Sequence, residues 1–452
     1  MYSPEFKHYI FKKTSGITWH IFFNEKHGIC YRTYDEGTGW STAELLVKDS
    51  LQDYYAELDG KNQIHIVYQD LNGNINYLLH NGNTYTATSV LRSKMPSPYR
   101  KSISCIPGEN GVNILFTVKH KDSLLLAHQF ASLSNPGTPK TIDYVIDGEM
   151  PYSFTCSKNG EINVFYQVYD GKFLQLGTKK LNPSTGQWGE FTPITRYNGN
   201  CEYPKPLTDN SGTVHVCYQR QQDGQYEFVH QKKEPDKNIW SHETVIQTSG
   251  HSFRRAAPVI LENNIIAFWI RGNAIHFSYS PIDSDSWSRP QKYSMDGNRE
   301  IECAKYTTNM IYEQNKIIST EIPVVFSRGY KIAFWEEIKT PDDTTPSSQL
   351  KSLIVDSLNA LKNSVDDLKK SIALLDERIL NLESEKDYIK RELVKLALSL
   401  KDMESVKPNY ALIHEQIEGL KKKNRELSDK IKKVLDEPEK SDTVSIVSED
   451  DR

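Results

Sequence analysis

The sequence predicts an all-β domain, a seven-bladed β-propeller, followed by an α-helical coiled coil. Two patterns carry this prediction: an apolar run that recurs seven times before residue 338, and a heptad pattern that begins after residue 350. The predicted boundaries are 1–338 for the propeller, 339–349 for a Pro/Thr/Ser-rich linker, 350–436 for the coiled coil with a break near Pro408, and 437–452 for a disordered acidic tail.

The recurring element is a run of five residues, mostly β-branched or aromatic, that ends in Phe, Tyr or Trp. Successive runs start 45, 48, 50, 52, 51 and 57 residues apart. Because both faces of each run are apolar, we expect buried strands, and about four short strands in a repeat of roughly 50 residues is typical of a propeller blade. Two packed β-sandwiches are the alternative. The runs are WHIFF from Trp19, IHIVY from Ile64, VNILF from Val112, INVFY from Ile162, VHVCY from Val214, IIAFW from Ile265 and IPVVF from Ile322.

Further strand-like segments flank each run, so the run is predicted to be the second of four strands. An inner strand precedes it, as in HYIFK from His8 and APVIL from Ala257, and an outer strand follows it, as in AELLV from Ala43. The last repeat has no outer strand before the linker. An open sheet edge is a liability, so residues 1–6 are predicted to pair across it and close the ring.

The turn before the outer strand carries a Trp or Tyr in most repeats. In the first repeat, residues 33–40 read TYDEGTGW, which resembles the Asp-box S/T-x-D-x-G-x-x-W of sialidase-type and lectin-type propellers. The resemblance covers most of residues 9–338 and implies the propeller fold. In that family the box is a folding device that lies away from the ligand face. A sialidase would also need an arginine cluster on the inner strands, and HYIFK has no arginine.

Propeller topology predicts a ligand-binding mouth, because the start of each inner strand and the end of each second strand emerge on one face. Aromatic, amide and guanidinium side chains recur at these places. Aromatic faces stack on sugars or peptide side chains, and amides and Arg orient a ligand by hydrogen bonds. The alternative for any single Tyr is packing between blades. The predicted ligand-binding residues are Tyr55, Gln69, Asp70, Tyr99, Arg100, Tyr152, Gln167, Tyr203, Gln219, Arg220, Phe253, Arg254, Arg255 and Arg271.

Residues 354–403 place apolar side chains at alternating steps of four and three, which predicts a coiled coil. One set of seam positions is mainly β-branched and the other is Leu, which favours a parallel homodimer, and the polar Lys386 and Asn424 are expected to specify its pairing. The alternative is a helix that turns back on its own chain near Pro408. The predicted oligomerisation residues are Leu358, Leu361, Val365, Leu368, Ile372, Leu375, Ile379, Leu382, Lys386 and Asn424.

Composition and charge exclude several classes of protein. The net charge of −4 offers no field for nucleic acid or an anionic membrane, and no segment is apolar enough to span a bilayer. The N-terminal residues lack a secretory pattern, which predicts a cytoplasmic protein, with a spore or cell surface as the alternative. The six Cys are isolated and no His or Cys has metal-ligand spacing, so reduced thiols, no metal and no cofactor are predicted. His20, His65 and His215 are expected inside strands as core or blade-interface residues.

These patterns favour a non-catalytic binding and scaffold protein whose propeller face recognises a glycan or a protein. Duplication by the coiled coil would give avidity for a repetitive target, such as a bacterial surface or spore-coat assembly. The alternative function is a sialidase-like or other carbohydrate-active enzyme.

Overall fold

The structure is a computed structural model that divides into two compact units, Met1–Ile338 and Lys339–Arg452. The predicted edge strand at residues 1–6, Arg254, the acidic tail and the first five predicted oligomerisation residues lie outside the residues that it describes. Those described are 8–82, 84–94, 96, 99–157, 160–237, 239–253, 255–293, 300–314, 316–334, 369–370, 375, 378–379, 381–400 and 410–436.

Within the described residues, the first unit is all-β apart from one short helix, and its strands form six hydrogen-bonded sheets. The first sheet contains β1 (His8–Lys12), β2 (Thr18–Asn24), β3 (Gly28–Asp35), β4 (Gly39–Trp40) and β5 (Glu44–Val47). The second contains β6 (Ser50–Leu58), β7 (Ile64–Asp70), β8 (Ile75–His80) and β9 (Tyr85–Leu91). The third contains β10 (Ser104–Gly108), β11 (Gly111–His120), β12 (Ser123–Ala131) and β13 (Lys140–Val145).

The remaining sheets repeat this arrangement. The fourth contains β14 (Tyr152–Cys156), β15 (Ile162–Tyr169), β16 (Leu174–Asn182), β17 (Gln187–Trp188) and β18 (Thr192–Pro193). The fifth contains β19 (Cys201–Thr208), β20 (Val214–Gln222), β21 (Gln225–Lys233) and β22 (Thr244–Ser249). The sixth begins with β23 (Ala256–Leu261), β24 (Asn264–Arg271), β25 (Ala274–Pro281) and β26 (Gln291–Tyr293). The last strands and the short helix are β27 (Glu302–Thr308), α1 (Ile311–Gln314), β28 (Ile317–Ser319), β29 (Ile322–Phe326) and β30 (Tyr330–Ile332).

All seven apolar runs are strands, as predicted, and each lies between two antiparallel neighbours. They are β2, β7, β11, β15, β20, β24 and β29. In β7, Ile64, Ile66 and Val67 are each at most 1% exposed, so both faces of the strand are covered. Because both faces of these strands are buried, each sheet packs against its neighbours, and this packing sets the positions of the strand ends.

The last repeat belongs to the first sheet. Its first strand, β27, pairs in parallel with β1 over five residues, from His8 opposite Ala304 to Lys12 opposite Thr308. Strands β29 and β30 continue the sheet beyond β27. The two ends of the all-β unit are therefore joined by β1 itself, whatever residues 1–6 add.

The longest repeat spacing reflects an insertion between β27 and β29. It contains α1 and β28, and β28 pairs with β23 from Val259 opposite Ser319 to Leu261 opposite Ile317. The innermost strand of the sixth sheet is therefore β28, and the prediction that APVIL is innermost there is wrong. Every residue of β23 is buried, so this strand needs a hydrogen-bonded neighbour on each side.

The second unit contains helix α2 (residues 381–400) and helix α3 (Tyr410–Asp436). The less exposed residues of α2 and α3 recur at steps of three and four, and include the predicted positions Leu382, Lys386 and Asn424. Ile389 is 4% exposed and Leu427 is 6% exposed, so the chain by itself covers both side chains. No helix in the described ranges has the length and apolarity of a membrane span.

Candidate active site

The predicted mouth residues divide by what their side chains contact. Three of them, Tyr55, Arg100 and Tyr152, line a cavity of about 400 Å³ where the first strands of several sheets converge. Tyr55 and Tyr152 are each 4% exposed, and Arg100 forms an ion pair with Asp53 at 3.3 Å. The predicted mouth residues that line this central cavity are therefore held in place by contacts within the protein itself.

Most other predicted mouth residues hold loops or neighbouring strands. The buried Gln69 donates from its amide nitrogen to the Tyr99 carbonyl oxygen at 3.0 Å. Asp70 accepts from the backbone nitrogens of Asn72 and Asn74 and so shapes its own turn. Gln219 accepts from the Phe253 backbone nitrogen at 2.7 Å. These contacts stabilise the loops and strand ends around the predicted mouth.

The remaining predicted residues differ in exposure. Tyr99 is 62% exposed, whereas Gln167 and Arg220 are 9% exposed. Arg220 pairs with two carboxylates, those of Glu227 and Glu243. The partly buried Tyr203 has a φ of 55°, and Arg255 donates to the Ile301 carbonyl oxygen at 3.0 Å. Arg271 donates to the Ser249 hydroxyl and lies 5.7 Å from the Phe253 ring.

A different cluster has the composition of an active site. It lies in an open pocket of about 550 Å³ on the first sheet, lined by His8, His20, Phe22, Arg32, Glu300, Glu302 and Phe326. His8 begins β1, Glu302 begins β27 and Phe326 ends β29. These are the strand ends that propeller topology assigns to the mouth, so the pocket lies between the first and the last repeat on that face.

Adjacent strands bring the polar groups of this pocket together. On the sheet, Ile10 of β1 and Arg32 of β3 both pair with His20 of β2, and His8 pairs with Phe22. The Arg32 Nε donates to His20 Nδ1 at 3.0 Å, and His20 Nε2 lies 2.9 Å from His8 Nδ1. His8 Nε2 is 3.7 Å from Glu302 Oε2. The four side chains form one line, with the guanidinium at one end and the carboxylate at the other.

The arginine fixes the proton positions along this line. A guanidinium only donates, so His20 Nδ1 must accept, and a neutral His20 carries its proton on Nε2. That proton points at His8 Nδ1, which leaves the His8 proton on Nε2, on the side of Glu302. His20 is 2% exposed, and burial, His8 and Arg32 all lower its pKa well below 6.5. His20 is therefore neutral at pH 7, and the line presents an N–H donor beside a carboxylate.

Arg32 also presents binding capacity to the pocket. Its guanidinium lies 4.2 Å from the Trp40 ring centroid and 5.6 Å from that of Phe326. Across the part of the chain that the structure describes, neither terminal nitrogen of Arg32 has a hydrogen-bond or ion-pair partner. Burial lowers the pKa of Arg32, so the charge of an incoming anion would offset the cost of its partial desolvation. A planar carboxylate or a sulfate is the group that this fork fits.

The sequence alone did not predict this pocket, because His20 shares its position in the repeat with two other histidines. His65 and His215 occupy the same second position of their runs as His20, and each lies within 3.4 Å of an aspartate six residues earlier, Asp59 or Asp209. In the first repeat, Thr14 stands six residues before His20. The absence of that aspartate is the signal that could have separated His20 from the two core histidines.

No cluster of three or more His, Cys, Asp or Glu side chains within the described ranges is placed to hold a metal ion. All six cysteines are unpaired, and burial raises the pKa of several, including Cys156 to about 11. The thiols are thus poor nucleophiles at neutral pH, and the chemistry of the pocket rests on imidazole, guanidinium and carboxylate groups.

Comparison with known proteins finds similar solved structures but no similar sequence. No family model and no curated protein matches the sequence. An ulvan lyase of polysaccharide lyase family PL25 is similar in structure, with a TM-score of 0.50, 13% identity, and 73% of this chain and 91% of that chain covered. The polysaccharide lyase Uly1 gives 0.42 at 8% identity over 67% and 84% of the two chains. Aleuria aurantia lectin, a six-bladed β-propeller that recognises fucose, gives 0.35 at 16% identity over 63% and 96%.

These comparisons support an all-β protein with propeller-like neighbours. They correct the expectation of a non-catalytic binding and scaffold protein, and with it the expectation that the chain is not an enzyme. A solved structure with a TM-score of 0.50 to this chain is a polysaccharide lyase, so this fold does not by itself indicate a protein without catalysis.

Proposed function

We propose that the protein is a carbohydrate-active enzyme that cleaves an acidic polysaccharide in the pocket of His8, His20, Arg32 and Glu302. The observation that carries the proposal is the line of hydrogen-bonding side chains from Arg32 to Glu302, with a proton donor and a proton acceptor adjacent at its open end. The ulvan lyase neighbour, one form of which is bound to a glucuronate–sulfated rhamnose unit, acts on a substrate of this class.

The reaction that fits these groups is β-elimination. The terminal nitrogens of Arg32, at the other end of the line, bind an anionic group on a neighbouring sugar unit and hold the polymer in the pocket. At the open end, Glu302 takes the proton from the carbon next to the uronate carboxylate, a carbon–carbon double bond forms, and the β C–O bond of the glycosidic link breaks. The leaving oxygen takes the proton from His8 Nε2. Glu302 then returns its proton to His8 over the 3.7 Å between them, so the step consumes no water and no oxidant.

The adjacency of donor and acceptor sets the stereochemistry. Glu302 and His8 lie on one side of the bound sugar, so the proton and the leaving oxygen must depart from the same face, a syn elimination. The Trp40 and Phe326 rings beside Arg32 provide apolar surface for stacking on a sugar ring.

The test is cleavage of a panel of polysaccharides by the full chain: ulvan, pectate, alginate and heparin, with neutral xylan for comparison. Elimination is followed by the ultraviolet absorbance of the unsaturated uronate, and any cleavage by new reducing ends. Arg32→Gln should lower kcat/KM by about 10–10²-fold, mainly through a higher KM, because it removes a charged hydrogen-bond contact to the polymer that is worth roughly 1.5–3 kcal/mol. His27→Gln, on the exposed turn after β2, is the matched control and should not change the rate. Reducing ends without the unsaturated product would replace elimination with hydrolysis, and no cleavage of any acidic polymer would refute the proposal.

We also propose that the all-β unit is a seven-bladed propeller with β27, β29 and β30 as the seventh blade. Its support is the seven meanders around one central cavity, with the parallel β1–β27 ladder joining the first and last blades. An experimental density map that showed six blades would contradict this count. The Asp-box assignment belongs with this proposal, and the turn at Asp35, whose carboxylate accepts from the Gly37 backbone nitrogen at 2.9 Å, is compatible with it.

Self-association through the helices of the second unit is a separate proposal. Its support is the heptad pattern, with Lys386 and Asn424 at less exposed seam positions. The burial of Ile389 and Leu427 by a single chain favours the alternative, a helix turned back on its own chain. Light scattering on the full chain and on residues 1–338 decides between them. A dimer held by the helices should have twice the mass of one full chain and should become a monomer on truncation. A helix turned back on its own chain should give a monomer in both cases.

A further inference from the structure

The central cavity is separate from the pocket of His8 and shares none of its lining residues. Strands β1, β6, β10, β14, β19, β27 and β28 all contribute to its wall. Its volume of about 400 Å³ lies within the range of roughly 300–1,000 Å³ that is usual for small-molecule sites. Arg100 and Glu149 lie at its more exposed end.

The cations of this wall are paired with carboxylates within the protein. Lys305 Nζ lies 2.5 Å from Glu57 Oε2 and 2.8 Å from the Tyr55 hydroxyl. Lys205 Nζ lies 3.1 Å from Glu321 Oε2, and both side chains are 9% exposed. With Arg100 paired to Asp53, each cation of the lining has its own carboxylate. A charged ligand would have to break one of these pairs at a cost, so the cavity suits a neutral ligand.

The wall nevertheless has hydrogen-bonding capacity that the protein leaves unused. Ser153 and Ser319 both line the cavity, and their hydroxyl oxygens are buried without a hydrogen-bond partner in the described part of the chain. The Thr155 and Thr208 hydroxyls, 2.7 Å apart, bond to each other and retain lone pairs. A buried hydroxyl without a partner costs free energy, which a hydroxyl-bearing ligand would recover.

The wall also offers aromatic surface. The rings of Tyr55 and Phe154 both line the cavity, with centroids 5.8 Å apart. Aromatic faces next to hydroxyl donors and acceptors are the combination that recognises the C–H face and the hydroxyl edge of a sugar.

We propose that the central cavity binds a neutral, polyhydroxylated small molecule of the size of a mono- or disaccharide. Ser153 and Ser319 would hydrogen-bond its hydroxyl groups, and the paired lysines would supply further N–H donors without net charge. This site is independent of the elimination proposed at Arg32, which requires an anionic sugar.

The experiment titrates the full chain with glucose, galactose, rhamnose and cellobiose by calorimetry and saturation-transfer NMR. Ser153→Ala and Ser319→Ala should each weaken binding roughly 10-fold, the value of one good hydrogen bond. Neither change should destabilise the free protein, because each removes a buried hydroxyl that has no partner. Ser278→Ala is the matched control: its hydroxyl is also buried and without a described partner, but Ser278 does not line the cavity.

Binding that weakens in the two cavity variants and not in Ser278→Ala supports the site. No binding of any of the four sugars, or unchanged binding in both cavity variants, overturns it. Arg32→Gln separates this proposal from the catalytic one, because it should slow the cleavage of acidic polymers and leave the neutral sugar bound as in the wild type.

Discussion

At the scale of single residues, the second position of the apolar run holds a histidine in three repeats, and the partners of this histidine differ between the first repeat and the other two. His65 and His215 each lie within hydrogen-bonding reach of an aspartate through Nε2, and these hydrogen bonds, with those from backbone nitrogens, outweigh burial and lower the pKa of Asp59 and Asp209. His20 has Arg32 and His8 instead. The chemistry of the pocket thus comes from a core position of the fold whose usual partner is missing.

The proton position on His20 is a direct test of this argument. In the wild type, nitrogen NMR of the side chain should show a single tautomer with the proton on Nε2, because Arg32 Nε occupies Nδ1. Arg32→Met removes the donor and keeps the length of the side chain, so both tautomers should appear. His230, buried against His215, is the internal control and should not change. A single tautomer in both proteins would mean that Arg32 does not set the proton position on His20.

Glu313 gives a second prediction for one residue. It is 2% exposed and accepts from Lys12 Nζ at 2.6 Å, the Tyr306 hydroxyl at 2.7 Å and the Thr308 hydroxyl at 2.9 Å. Burial alone would raise the pKa of Glu313, but these three donors outweigh it and lower the pKa below 4.5. The stability that this group contributes is therefore present above pH 4.5 and is lost as the pH falls below it.

Glu313→Gln keeps the shape of the side chain but removes the charge opposite Lys12. We expect a loss of roughly 2–4 kcal/mol at pH 7, less than for a fully buried pair because Lys12 is partly exposed. Urea unfolding at pH 7 and pH 4 measures it, and the difference between variant and wild type should shrink at pH 4. Glu262→Gln, which removes an exposed pair with Lys316, should cost less than about 1 kcal/mol. Equal losses in the two variants would count against the role assigned to Glu313.

At the scale of elements, the sequence predicted the strands within a repeat better than the contacts between repeats. Periodicity and aromatic residues located all seven second strands, because a strand buried on both faces must be apolar throughout. The β1–β27 ladder could not be predicted, because nothing local to His8 or Ala304 specifies a partner nearly 300 residues away. The insertion of α1 and β28 left one trace, the spacing of 57 residues before the last run.

Strand β1 is where these long-range contacts concentrate, because it separates two cores. Tyr9 and Phe11 pack in the core shared with the second sheet, and Ile10 packs in the core shared with β27 and β29. Ile10→Ala should therefore destabilise the all-β unit by roughly 2–5 kcal/mol. Leu45→Ala on β5 of the same sheet, where the side chain is 51% exposed, should cost under about 1 kcal/mol. Urea unfolding of residues 1–338 provides the comparison, and a small effect of Ile10→Ala would mean that the ladder does not hold the two ends together.

At the scale of the whole molecule, buried histidines should set the response to acid. Burial lowers the pKa of His20 and His230 well below 6.5, and burial together with Lys140 lowers that of His128 to about 4. Between these values and 6.5, the unfolded chain binds protons that the folded protein does not. The folding free energy must therefore weaken as the pH falls below 6.5, before most carboxylates titrate.

His128 makes this prediction quantitative. A pKa of about 4 in the folded protein against 6.5 in the unfolded chain corresponds to roughly 3 kcal/mol, lost progressively from pH 6.5 to pH 4. The midpoint of thermal unfolding should fall between pH 7.5 and pH 5, and His128→Gln should flatten this fall even if it lowers the midpoint at pH 7.5. His27→Gln, on an exposed turn, should leave the slope unchanged. If the slope of the His128→Gln protein matched that of the wild type, the buried neutral histidine would not be the source of acid sensitivity.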